Sequence, residues 1–191
     1  MSRRIILAST SPFRRELLSR LGLCFECAAP EYGEGEIAGA APSELARLHA
    51  LEKAREVARR SPGALVIGSD QVAELDGEIL GKPLTKERAF EQLRKMSGKK
   101  VLFHTGVALV ADGREESGVE LFSVTLKKLT DREIENYLTR EEPYFCAGSF
   151  KIEGLGIALM ESMEGEDYTS LIGLPLIRLI GMLEGFGVRV L

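Results

Sequence analysis

Two Asp-Gly dipeptides constrain this chain more than any other feature. Asp76-Gly77 joins residues 71–75 to 78–80, and Asp112-Gly113 joins 101–111 to 115–127. The flanking runs read as strands, and Asp-Gly supplies the positive φ angles of a tight hairpin turn. Helical patterns interleave with these pairs. Residues 4–8 read as a short buried strand that runs into Ser9-Thr10-Ser11-Pro12. Ser11 suits an N-cap and Pro12 the first helical position. Phe13, Leu17, Leu18 and Leu21 form an apolar stripe that Gly22 ends. A strand follows near Phe25, then an acidic, Gly-rich loop over 31–39. Residues 42–60 read as a helix with Leu45, Leu48, Ala54 and Val57 inward. Residues 64–69 read as a central strand, and 85–96 as an amphipathic helix ended by Ser97-Gly98. Thr130 and Glu133 form a capping box for a helix to Leu138. A strand over 156–160, a helix over 175–183 and a short strand over 188–191 complete the pattern. The expected fold class is α/β, a mixed β-sheet flanked by helices.

The 191 residues suit one domain, 1–191, and 45% hydrophobic content is ordinary for a globular chain. A net charge of -4 and a pI near 5.4 argue against a basic nucleic-acid face. A small anionic ligand needs only a few local cations. The apolar stretch 5–8 is too short for a signal peptide, and no run approaches the roughly 18 apolar residues of a membrane span. No membrane partner is expected. Three cysteines, an odd and sparse set, point to a reducing, cytoplasmic setting. Cys24 and Cys27 have C-x-x-C spacing, but a strand position does not suit a redox site, and a structural zinc site would want further ligands. His49 and His104 read as structural.

Four segments carry candidate chemistry. In Ser9-Thr10-Ser11-Pro12-Phe13-Arg14-Arg15 a strand meets a helix N-terminus, which offers N–H groups and a favourable dipole to an anion. The alternative is a plain N-cap with solvated arginines. In Gly68-Ser69-Asp70-Gln71, Asp70 follows the apolar strand, where it could hold a metal or act as a general base. It could equally be a satisfied turn residue. Gly81-Lys82-Pro83 pins a cation between two residues of restricted backbone. In the string 147–156, an extended chain would place Lys151 and Glu153 on one face. No Walker-A loop or dinucleotide-binding fingerprint is present.

These segments together resemble the Maf-like family. The matching strings are Leu7-Ala8-Ser9-Thr10-Ser11-Pro12 with Arg14-Arg15, Glu52-Lys53-Ala54, Ser69-Asp70-Gln71-Val72, Gly81-Lys82-Pro83, Ser97-Gly98, Thr105-Gly106-Val107, Ala147-Gly148-Ser149 and Gly173-Leu174-Pro175-Leu176. Their joint order over nearly the whole chain is what makes the resemblance specific. It implies an elongated sheet in two lobes around a cleft, similar to the inosine triphosphate pyrophosphatases. It also implies hydrolysis of a nucleoside triphosphate between its α and β phosphates with a divalent metal, Mg²⁺ or Mn²⁺, and a homodimer. Asp70 matches the proton acceptor. Ser9, Ser11, Arg14, Arg15, Lys53 and Lys82 would bind phosphate. The family usually has an Asp-Glu pair after the second strand; here the corresponding residues are Gly33 and Glu34. Glu34 with Asp70 is then the expected metal pair, and Glu31 or Glu36 could substitute.

Phe13, Gln71 and Glu153 resemble the specificity residues of the subgroup acting on 7-methyl-GTP. N7-methylation makes guanine cationic, which suits an aromatic ring. A carboxylate can accept both N–H donors of its Watson–Crick edge. Phe13 could instead belong to the core, and Glu153 could be a surface carboxylate paired with Lys151. The alternatives are a dTTP or UTP pyrophosphatase of the same family, or a non-catalytic nucleotide-binding regulator of septum formation.

Overall fold

A computed structural model describes residues 3–33, 35, 37 and 39–191. The strands are β1 (Ile5–Leu7), β2 (Glu26–Cys27), β3 (Leu65–Leu75), β4 (Glu78–Leu80), β5 (Lys100–Ala111), β6 (Arg114–Leu126) and β7 (Met160–Gly165). The helices are α1 (Pro12–Ser19), α2 (Pro42–Arg59), α3 (Lys86–Met96), α4 (Asp131–Glu141), α5 (Tyr168–Ile172) and α6 (Leu176–Gly185). One sheet runs β2-β1-β3-β5-β6-β7, with β4 paired to β3. β1 is parallel to β2 and β3, whereas β3–β4 and β6–β7 are antiparallel. The expected mixed sheet with helices is therefore present. Among the described residues no helix is long and apolar enough to cross a membrane.

The chain divides into two compact units, with three of the four boundaries inside the long strands β3, β5 and β6. Met1–Gln71, Thr105–Glu120 and Asp167–Leu191 form the first, Val72–His104 and Leu121–Glu166 the second. In the first, alternate strand residues feed two cores. Ile5, Leu7, Leu65, Ile67, Val107 and Leu109 pack with Leu17 and Leu18 of α1 and Leu179 and Leu183 of α6. Ile6, Ala8, Val66, Ala108 and Val110 pack with Ala50, Leu51, Ala54 and Val57 of α2. Covering both faces requires the near-continuous apolar runs seen in these strands.

Helix α2 lies unusually close to the sheet. A Cβ on Gly68 would sit 2.1 Å from the Ala50 carbonyl oxygen, and one on Gly106 2.2 Å from that of Ala46. The helix accordingly buries the small residues Ala46, Ala50 and Ala54, while the expected Leu45 and Leu48 are only half-buried. A leucine stripe would have held the helix too far from these glycines.

In the second unit, Leu93 and Met96 of α3 and Ile134, Tyr137 and Leu138 of α4 are buried, as are Val124, Leu126 and Phe150. The Phe103 and Phe150 rings meet edge to face, centroids 5.4 Å apart. The capping box at Thr130 and Glu133 forms as expected. Both Asp-Gly turns adopt positive φ at Asp76 (52°), Gly77 (84°), Asp112 (49°) and Gly113 (77°).

Four expectations need correction. β3 is one strand through Leu75, so Asp70 lies within it rather than after it; the alternation of Val72, Glu74 and their neighbours continues the extended chain. Residues Leu155–Leu159 form a 3-10 turn, not a strand, because the Gly156 N–H folds back onto the Lys151 carbonyl at 3.0 Å. Residues 188–191 form no strand; the Val188 N–H returns to the Leu183 carbonyl at the end of α6. The segment before Glu153 is not extended: Ala147–Ser149 is a 3-10 turn, with positive φ at Gly148 (72°) and Ser149 (59°).

Gly68→Ala tests the helix–sheet contact. Backbone blocks its Cβ, so the substitution should cost about 3 kcal/mol and lower Tm by roughly 6–12 °C. Gly181→Ala in α6, whose Cβ meets nothing within 4 Å, should not lower it. Scanning calorimetry reads both. An unchanged Tm for Gly68→Ala would mean that α2 is not seated on β3.

Candidate active site

Asp70 and Lys53 form a buried ion pair. Lys53 Nζ donates to Asp70 Oδ1 at 2.6 Å, and the two side chains are 6% and 10% exposed. Taking both charges out of water is expensive, and such a pair is weak evidence for stability as its purpose. The close seating of α2 accounts for the contact: Lys53 precedes Ala54, which packs on Gly68, two residues before Asp70.

The neighbouring residues converge on one carbonyl. Arg14 Nε donates to Gly173 O at 2.8 Å, and Ser69 Oγ lies 2.8 Å from both Gly173 O and Gly106 O. Gly173 ends α5 with φ 127°, a conformation that favours glycine. The first loop is ordered by its own hydroxyls. Ser9 Oγ accepts the Ser11 N–H at 3.1 Å, and Ser11 Oγ caps α1 by accepting the Arg14 N–H. Arg14 is half-buried and Arg15 exposed.

Gln71 is fastened to the interior. Its Nε2 lies 3.1 Å from Thr105 Oγ1, 2.9 Å from Ser170 O and 3.0 Å from Leu171 O. Thr105 Oγ1 also donates to Ser170 O. The amide nitrogen of Gln71 thus holds the backbone of α5 to the sheet. Phe13 is half-buried and lies outside the apolar core that takes Leu17, Leu18 and Leu21.

In the second unit Lys82 is exposed, next to buried Pro83. Gln92 Nε2 donates to Gly81 O at 2.9 Å, and Gln92 Oε1 accepts from Ser149 Oγ. Glu153 is exposed. Lys151 Nζ donates to the Glu141 carbonyl at 2.5 Å, and its N–H donates to the Tyr137 hydroxyl at 2.9 Å. Burial raises the Tyr137 pKa. It also pushes the Cys146 thiol up.

The remaining candidates are less defined. Glu34 and Glu36 lie outside the described residues, and the Glu31 N–H binds Glu56. Among the described residues no three His, Cys, Asp or Glu side chains cluster closely enough to hold a metal ion. Of the expected pair, Asp70 is among the described residues. Its carboxylate is a hard oxygen donor of the kind Mg²⁺ takes, usually with one or two carboxylates, waters and substrate phosphates. His49 and His104 bond Tyr32 and Glu74, a structural use. Cys24 and Cys27 are exposed and free, and only Cys27 is in a strand.

Sequence reasoning missed Gln92, Thr105 as a side chain, and Asp167. Asp167 is buried, caps α5 and accepts the Ile177 N–H of α6 at 2.8 Å. The Asp-Tyr-Thr order, with a hydroxyl two residues after the carboxylate, is the local signal that could have shown this cap.

Three relatives are each called 7-methyl-GTP pyrophosphatase. That of Polaromonas sp. is 56% identical, covering 98% of this chain and 86% of the relative. That of Nitrosococcus oceani is 53% identical, covering 98% and 95%. That of Syntrophotalea carbinolica is 52% identical, covering 98% and 96%. Among solved structures, a HAM1 protein from Coxiella burnetii shares 18% identity at a TM-score of 0.49, over 67% of this chain and 75% of that one. The Maf-like protein family matches residues 4–186, and the chain belongs to that family.

Proposed function

We propose that this chain hydrolyses the α–β phosphoanhydride of 7-methyl-GTP, giving 7-methyl-GMP and pyrophosphate. The buried Lys53–Asp70 pair carries the catalytic part of this reading, because taking both charges out of water is costly and stability is a weak reason for it. The names of relatives more than 50% identical support the substrate.

The chain's own residues account for the chemistry. Asp70 takes a proton from water as its oxygen bonds to the α-phosphorus. The bond from that phosphorus to the bridging oxygen breaks, and pyrophosphate leaves. Lys53 fixes the Asp70 carboxylate through Oδ1, and an ammonium has three donors with which to serve both a carboxylate and a phosphate oxygen. Arg14, Lys82 and Arg15 offset phosphate charge, with Ser9 and Ser11 shaping the turn. A divalent metal, Mg²⁺ or Mn²⁺, held by Asp70 and Glu34, would neutralise charge on the leaving group.

Phe13, standing outside the core, offers a ring face to the cationic base. Glu153 accepts from N1–H and N2–H₂. UTP and dTTP present carbonyl lone pairs on either side of one N–H, which a carboxylate repels. Gln71 acts on the base indirectly, by holding the backbone of Ser170 and Leu171.

The test is pyrophosphate release from 7-methyl-GTP, GTP, UTP, CTP and dTTP, with Mg²⁺ or Mn²⁺ and an EDTA control. A preference for 7-methyl-GTP that EDTA abolishes is expected. Preference for UTP or dTTP would discard the base-recognition argument, and no turnover of any would leave a binding role. Glu153→Gln should lower kcat/KM for 7-methyl-GTP about tenfold or more, the value of one charged hydrogen bond, and change UTP little. Equal losses on both would remove Glu153 from base recognition. Asp70→Asn should stop turnover and also lower Tm by several degrees, because it removes the carboxylate charge to which buried Lys53 donates. Appreciable residual activity would remove Asp70 from the mechanism.

A further inference from the structure

We propose that Gln92 is a positioning residue for this reaction, tying the segment that carries Lys82 to the segment that carries Glu153. The inference rests on the function proposed above and adds a residue that neither motif contains. Gln92 stands on α3 and is half-buried. Its amide uses both of its ends: Nε2 donates to the Gly81 carbonyl, and Oε1 accepts from the Ser149 hydroxyl.

Each bond falls beside a functional position. Gly81 precedes Lys82, and Pro83 on the other side is buried. The Leu84 N–H donates to the Tyr144 carbonyl at 2.9 Å, so the backbone around Lys82 is held from both directions. Ser149 is fully buried, with φ 59°, an unfavourable conformation for a residue with a side chain. A buried hydroxyl needs a partner, and Gln92 supplies it. Phe150 follows, buried edge-on against Phe103, and the chain then turns through Glu153. The Leu155 N–H bonds Glu141 at 2.8 Å and closes that turn. A loss of Gln92 therefore releases two loops at once.

The two arms can be separated. Gln92→Leu keeps the volume and removes both. Gln92→Glu keeps an acceptor for Ser149 but loses the donor to Gly81. Ser149→Ala removes only the arm toward Glu153. Steady-state kinetics on 7-methyl-GTP and UTP, with calorimetry on each variant, reads the result. Gln92→Leu should lower kcat/KM for 7-methyl-GTP about tenfold and narrow its advantage over UTP, the effect of one or two lost hydrogen bonds on loop placement. Gln92→Glu should raise KM for both nucleotides alike and leave their ratio unchanged, because it disturbs the Lys82 side. Ser149→Ala should narrow the ratio with the smaller change in KM. A Gln92→Leu protein with wild-type kinetics would overturn the proposal. So would equal losses on both nucleotides from all three variants in proportion to their fall in Tm. Wild-type protein that turns over neither nucleotide would instead overturn the function on which it rests.

Discussion

The seating of α2 directly on the backbone of β3 and β5 is the constraint from which the first unit follows. It requires glycine at 68 and 106, since a methyl group at either would penetrate the helix backbone. It requires alanines at 46, 50 and 54 on the facing stripe. Dispersion and burial across so short a gap hold the helix, with Leu51 and Val57 adding to the same core. The consequence is electrostatic. Lys53 is carried into the same interior and meets Asp70 at 2.6 Å, with little water left to screen either charge. A surface helix at ordinary distance would have left that lysine in solvent.

A second constraint is the use of one carbonyl, Gly173 O, as the meeting point of Arg14 and Ser69. This links the start of α1, the middle of β3 and the end of α5. Gln71 strengthens the link by holding Ser170 and Leu171. Residues that a motif reading treats as separate ligand contacts are thus mechanically joined. The second unit repeats the device with Gln92, whose amide joins Gly81 to Ser149. In both cases a glutamine side chain satisfies backbone or buried hydroxyl groups that water would otherwise have to serve.

Much of the fold was legible in the sequence because it rests on local chemistry. Asp-Gly turns, the Ser11-Pro12 start and the Thr130-Glu133 box each act over a few residues, and each forms where it was read. Part of what failed depended on distant partners, and part on local backbone bonds and caps. Leu45 and Leu48 looked inward by size, but the glycines on β3 and β5 select alanine. Gly156 to Met160 has strand-like residues, yet the Lys151 carbonyl captures its first N–H groups and winds it into a 3-10 turn. Helix α5 has five residues, too few for a stripe, and depends on Asp167 as its cap. Among site residues, Asp70 and Lys53 were named as separate functional candidates, but their direct pairing was not readable from a spacing of 17 residues across two elements. Phe13 could not be assigned between core and surface until the helix was placed on its neighbours.

The central claim is that water attacks the α-phosphorus and pyrophosphate leaves. Turnover of 7-methyl-GTP in ¹⁸O-labelled water, followed by mass analysis of both products, tests it without any substitution that could disturb the fold. The account predicts one ¹⁸O atom in 7-methyl-GMP and none in the pyrophosphate released. Label in the pyrophosphate would place the attack on the β-phosphorus and contradict it.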